Sequence, residues 1–100
     1  MKLFFVYILK CSDDTYYTGI TNDPERRLAE HQSGLNQESY TYSRRPVKQV
    51  YLSDGFSDPL EAIGWEKQLK DWNRKKKEAV INGKWELLPE LSKNRKGTEK

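Results

Sequence analysis

Every position from Leu3 to Leu9 is apolar or aromatic, and Val, Ile, Phe and Tyr dominate the run. It is too short for a stable helix and does not alternate, so it predicts a strand covered on both faces. A polar cluster, Cys11-Ser-Asp-Asp-Thr15, separates it from a second β-rich run, Tyr16 to Ile20, and the pair predicts an antiparallel hairpin. The pattern then turns helical. Asp23-Pro24-Glu25 opens a helix: Asp accepts free backbone N–H groups, Pro at the first helical position gives up no needed donor, and the acid suits the positive helix end. Gly34 closes it.

From Leu35 to Arg45 the chain is polar with interspersed tyrosines, which predicts a loop or a short helix; Pro46 to Leu52 restores a strand pattern. Asp58-Pro59-Leu60-Glu61 repeats the helix-opening device, and Ala62, Trp65, Leu69 and Trp72 recur at helical spacing, as a stripe facing the sheet would. Asn73 caps a third helix, Arg74 to Ile81, closed by Asn82-Gly83. The order β-β-α-β-α-α predicts an α+β fold, a small three-stranded antiparallel sheet flanked by helices. One domain is expected over residues 1–91, with 92–100, which lack an apolar anchor, as a disordered polar tail.

Composition narrows the reading. With 35% hydrophobic and 12% aromatic residues in 100, the core leans on Trp, Tyr and Phe, and there is room for one domain. The formal net charge of +3 and pI near 9.0 are mildly basic, so any nucleic-acid site has to be a local patch. Cys11 is the only cysteine, which rules out an internal disulfide or a thiolate zinc cluster and fits a reducing cytoplasm. The first apolar run is broken by Tyr7 and then Lys10 and lacks a small-residue cleavage site, so no secretion signal is expected, and no run approaches membrane-spanning length.

The residues that draw attention are Tyr7 and Tyr17 in the two β runs, followed by Arg27 and His31 at i and i+4 on one helix face. Proton-handling phenols beside an anion-binding guanidinium and an imidazole point to phosphodiester hydrolysis. The plain alternatives are two core tyrosines and a solvated helix face. Basic residues cluster at Arg44-Arg45 and along Lys67, Lys70, Arg74, Lys75, Lys76 and Lys77. Such runs are usually solvated, but next to a phosphate-cutting cleft they, with Tyr40, Tyr42 and Trp72, can hold phosphates and stack on splayed bases.

In order along the chain, VYILKC, YYTGITND, ERRLAEH, YTYSRRPV and EAIGWEKQLKDW resemble the GIY-YIG nuclease domain, most closely its small stand-alone, excinuclease-like branch, from Phe5 to about Ile81. The resemblance places the family's two motif tyrosines on Tyr7 and Tyr17, its motif glycine on Gly19, its arginine on Arg27, its histidine on His31 and its metal-binding glutamate on Glu66. Phe5-Val6-Tyr7 stands where the family has Gly-Ile-Tyr, and Tyr17-Thr18-Gly19 where it has Tyr-Ile-Gly. The implied activity is a metal-dependent DNA endonuclease, possible roles being structure-selective cleavage in repair or recombination.

In that reading Glu66 holds one Mg²⁺ or Mn²⁺, with no second acid at helical spacing for another, although it could instead pair with Lys70 at i+4. Arg27 offers its donors to a phosphate oxygen, Tyr7 or Tyr17 takes a proton from water, and His31 relays that proton or holds a tyrosine hydroxyl. Arg44, Arg45, Lys70, Arg74, Lys75 and Lys76 are the expected DNA contacts, with single-stranded, branched or damaged DNA favoured and specificity drawn from a partner protein. The readings kept beside it are a catalytically weak nucleic-acid-binding module and a protein-interaction adaptor built on Trp65 and Trp72. The enzyme reading sets one structural condition: the hairpin register has to place Tyr7 and Tyr17 on the same face.

Overall fold

In the computed structural model, which describes residues 2–88, the first apolar run becomes the middle strand of the sheet. Strands β1 (Phe5–Lys10), β2 (Tyr16–Thr21) and β3 (Lys48–Leu52) are antiparallel in the order β2-β1-β3. A central position explains why β1 is apolar without alternation: Val6, Tyr7, Ile8 and Leu9 are all at most 2% exposed. The expected tail, residues 92–100, lies outside the described residues.

The β1–β2 turn is closed by Cys11 N–H donating to Thr15 O at 2.8 Å and Asp14 N–H to Cys11 O at 2.9 Å. Asp14 takes a left-handed φ of 70°, a conformation Asp tolerates through local hydrogen bonding. Across the hairpin Tyr7 stands opposite Gly19 and Leu9 opposite Tyr17. Residues facing each other across a pair share a face, as do residues two apart, so Tyr7, Leu9, Tyr17 and Gly19 lie together.

Helix α1 (Pro24–Ser33) begins and ends where its caps require. The Asp23 carboxylate accepts from Arg26 N–H, Pro24 occupies the first turn, and Gly34 leaves in the left-handed conformation, φ 71° and ψ 33°. Leu28 of α1 and Tyr17 pack on a buried cluster of Tyr7, Leu9, Cys11 and Val47, which sets α1 against the tyrosine face.

Between α1 and β3 the chain makes a 3₁₀ turn over Tyr42–Arg44, and two arginines hold the segment in place. Arg44 Nε donates to Asp13 Oδ2 at 3.0 Å in the hairpin turn, and its Nη1 donates to Tyr40 O at 2.8 Å. Arg45 Nε donates to Tyr42 O at 2.8 Å while its guanidinium lies 4.6 Å from the Tyr42 ring centroid. The Gln32 side chain accepts from Val47 N–H at 2.9 Å, joining the start of β3 to α1.

Helix α2 (Pro59–Asp71) buries Ala62 and Leu69 completely, and Trp65 Nε1 donates to the Tyr51 hydroxyl at 3.1 Å, fixing the helix to β3. The chain divides after Lys70 into two compact units. The second contains Trp72, the helix α3 (Arg74–Ile81) and a 3₁₀ turn over Trp85–Leu87. Asn73 Oδ1 caps α3 by accepting from Lys76 N–H at 2.9 Å, and Gly83 follows at φ 71°. The α+β architecture is the one the sequence pattern predicts; the 3₁₀ turn over Tyr42–Arg44 falls in the segment expected to be a loop or a short helix, and that over Trp85–Leu87 is the element the pattern does not specify.

Candidate active site

The register condition is met, and it explains Gly19. A Cβ built on Gly19 would lie 2.4 Å from the Tyr7 hydroxyl oxygen and 2.5 Å from Cζ, so the Tyr7 ring crosses β2 where the neighbouring strand is bare. Gly19 thus provides ring space. The centroids of Tyr7 and Tyr17 are 6.3 Å apart, and that of His31 on α1 lies 6.0 Å from Tyr7 and 5.2 Å from Tyr17.

At the centre, the Tyr7 hydroxyl lies 3.0 Å from His31 Nε2, and His31 Nδ1 lies 2.7 Å from Thr41 Oγ1. Tyr7 is 2% exposed, His31 8% and Thr41 1%, so these bonds are sheltered from water. Burial pushes the Tyr7 phenol up to about 12, and the nearby Tyr17 and Glu66 add to the shift; the Arg27 guanidinium, within hydrogen-bonding reach, opposes it by its hydrogen bond and its charge. His31 moves below its usual value, chiefly through burial and then through the Arg27 charge, with Glu30 acting the other way. Imidazole is therefore the form present at neutral pH.

Arg27 and Glu30 form an ion pair at 3.2 Å, and Arg26 approaches the same carboxylate at 3.5 Å. Tyr17, Arg27, His31, Ser39, Thr41 and Tyr42 are among the walls of a cavity of about 200 Å³. Tyr40 stacks on Tyr17 at a centroid distance of 6.0 Å and is met by the Arg44 guanidinium at 3.9 Å.

Glu66, on α2, has a side chain 14% exposed and forms an ion pair with Lys70 at 3.0 Å, the i+4 pairing available from sequence. Its charge is also close enough to raise the Tyr7 phenol, which ties it to the tyrosine site. Among the described residues no three His, Cys, Asp or Glu side chains gather into a metal cage. A single, mostly buried carboxylate fits a hard cation that keeps much of its water shell and takes its remaining oxygens from a phosphate.

The expected DNA contacts separate into three groups. Arg44 and Arg45 spend several donors on loop carbonyls and Asp13, and Lys70 is on Glu66. In the second unit Arg74 pairs with Glu78 at 3.0 Å and Lys75 is exposed. Lys76 is only 3% exposed, its ammonium 4.5 Å from the Trp72 ring centroid, so its charge faces protein. Residue spacing did not reveal Glu30 or Thr41. The signal for Glu30 is its place among Arg26, Arg27 and His31; for Thr41 it is only the YTYSRRPV block, ten residues beyond the histidine it touches.

This sheet, with its tyrosine pair and its Arg, His and Glu, is that of a nuclease domain, and comparison with known proteins agrees. A model of the GIY-YIG catalytic domain matches residues 3–79, so the chain belongs to the GIY-YIG family. Within that family it is similar to small stand-alone proteins called UPF0213. That of Syntrophus aciditrophicus is 48% identical over 83 residues, covering 81% of this chain and 92% of the relative. That of Bacillus pumilus is 43% identical over 77 residues, covering 77% and 76%. Two solution NMR structures are similar as well. The UPF0213 protein BH0048 from Bacillus halodurans is 39% identical with a TM-score of 0.52, covering 80% of this chain and 83% of that one. The protein EF2693 from E. faecalis is 36% identical with a TM-score of 0.58, covering 83% and 86%. The domain implies a nuclease acting on DNA, and nucleases of this family generally use a divalent metal.

Proposed function

We propose that this chain is a cytoplasmic, metal-dependent endonuclease that hydrolyses DNA phosphodiester bonds, structure-selective in its choice of DNA and active in repair or recombination. The observation that carries the reading is the Tyr7 hydroxyl held 3.0 Å from the Nε2 of a neutral, buried His31, with the Arg27 charge acting on the same phenol. A phenol near 12 is a poor free base, but it can take a proton from water while passing its own to His31. The imidazolium so formed lies beside Glu30, which favours the charged form. Arg27, with a side chain 37% exposed, presents the remaining donors of its planar fork to a non-bridging phosphate oxygen. Tyr17 lines the cavity and orients the water or the phosphate. Glu66 would hold the Mg²⁺ or Mn²⁺, which when bound neutralises charge on the phosphate and the leaving oxygen.

A second reading, a nucleic-acid-binding module with weak catalysis, draws support from one contact, the Lys70 ammonium 3.0 Å from Glu66 Oε2, where a metal would compete. A cleavage screen decides between them, using single-stranded, duplex, flap and junction DNA with Mg²⁺ or Mn²⁺. Metal-dependent cutting that Glu66→Ala and Tyr17→Phe abolish is the expected result. Binding without cutting on every substrate refutes the enzyme.

A further inference from the structure

We infer that Thr41 is a positioning residue that fixes the tautomer of His31, holding the ring proton on Nδ1 so that Nε2 faces Tyr7 as a bare acceptor. The inference rests on the reading of His31 as the group that takes the Tyr7 proton, and it follows from the direction of each hydrogen bond. The two ring nitrogens of a neutral imidazole are unlike: one donates and the other accepts, so the two contacts of His31 run in opposite senses.

Three contacts set that sense. The Tyr7 hydroxyl is buried and makes its side-chain hydrogen bond to His31 Nε2, 3.0 Å away, so the phenolic O–H has that nitrogen as its acceptor. At the other end, Ser39 Oγ accepts from Thr41 N–H at 3.3 Å and lies 3.1 Å from Thr41 Oγ1. With Tyr7 donating to Nε2, the ring proton of the neutral imidazole falls on Nδ1 and donates to Thr41 Oγ1 at 2.7 Å, which leaves the Thr41 hydroxyl to donate outward to Ser39 Oγ at 3.1 Å. The directions agree along the whole chain, from Tyr7 O–H to His31 Nε2, from His31 Nδ1–H to Thr41 Oγ1, and from Thr41 O–H to Ser39 Oγ.

This arrangement opposes the ring's own tendency. A free neutral imidazole side chain prefers its proton on Nε2, which here would set two donors against each other at Tyr7. Thr41 is 1% exposed, so its hydroxyl is committed to partners within the protein. The hydroxyl also comes from a segment that Arg44 ties to the hairpin turn and that the Gln32–Val47 bond closes between α1 and the start of β3, so its oxygen is held in place. The ring proton stays on Nδ1 while the Tyr7 proton moves to Nε2, and it returns as the site resets.

His31 is the only histidine in the chain, so the ¹⁵N shifts of its imidazole report this tautomer directly in the full-length protein. At a pH above the His31 titration, the wild type is expected to show a protonated Nδ1 and an unprotonated Nε2. Thr41→Val, matched in shape but without the acceptor, is expected to lose the single tautomer and to lower kcat at least tenfold with KM little changed. Thr41→Ser is expected to restore both. A wild-type ring carrying its proton on Nε2 overturns the inference, as does a folded Thr41→Val protein whose shifts match the wild type. If Thr41→Val does not fold, the wild-type and Thr41→Ser spectra decide. Absence of cleavage by the wild type strikes the nuclease reading alone, because the tautomer is read without substrate.

Discussion

Replacing Gly19 with alanine tests the relation between the hairpin and the site most directly. The backbone of Gly19 is not left-handed, so strain in φ plays no part; the conflict is the new Cβ, 2.4 Å from the Tyr7 oxygen and 2.5 Å from Cζ. Ordinary contact begins at 3.4 Å, so the ring has to move by about 1 Å. It has nowhere easy to go: Tyr7 is 2% exposed, packed in the cluster with Leu9, Cys11 and Val47, and bonded to His31. Overpacking of this kind costs about 1–3 kcal/mol, and moving the hydroxyl that far stretches a 3.0 Å bond beyond useful length, a further loss of about 1 kcal/mol. A Gly→Ala change also stiffens the unfolded chain, which returns about 0.4–1 kcal/mol. The net expectation is a loss of roughly 1–3.6 kcal/mol, seen as a lower urea midpoint with unchanged slope.

The same displacement should lower cleavage about 100-fold, because misplacing a reacting group by about 1 Å costs that order of rate. Tyr7→Phe, which removes the hydroxyl but keeps the ring, should match the loss of cleavage with a smaller loss of stability. A Gly19→Ala protein with wild-type urea midpoint and wild-type His31 shifts would refute the account of why the glycine is there.

Acid should act through His31. Its pKa is lower folded than unfolded, so stability from the neutral ring is fully present above pH 6.5 and is lost as pH falls from 6.5 through the folded value. Arg27 and Glu30 are the charged groups that bear on it, and Tyr7 its hydroxyl partner; urea midpoints between pH 7.5 and 5 should show the slope, and His31→Gln should flatten it. The Asp13 carboxyl, held below its usual value by Thr15 and Arg44, acts at lower pH and does not confuse the two. Gly64, inside α2, has open space where a Cβ would go, so Gly64→Ala should stabilise by roughly 0.5–1 kcal/mol; a lower melting temperature would contradict the open helix surface.

The sequence by itself determined the strands and the helices and nominated five residues for the site. Asp23-Pro24 and Asp58-Pro59 mark the helix starts because capping is local chemistry, and a run apolar at every position already implies a strand covered on both sides. The resemblance of the motifs drew Tyr7, Tyr17, Arg27, His31 and Glu66 together, and the register brings the tyrosines to one face with Arg27 and His31 beside them.

Only the tertiary structure decided what those residues do to one another. That Gly19 makes room for the Tyr7 ring depends on strand register, and that Thr41 meets His31 depends on the path of a loop pinned by Arg44 and Gln32. Neither has a periodic trace along the chain. Lys76 is the converse case: within a run of four basic residues it is indistinguishable from its neighbours, yet helix phase turns it onto Trp72 and leaves Lys75 in water. Charge and residue type are properties of the sequence, but exposure and hydrogen-bond direction arise only when distant segments are packed together, and the chemistry proposed here depends on both.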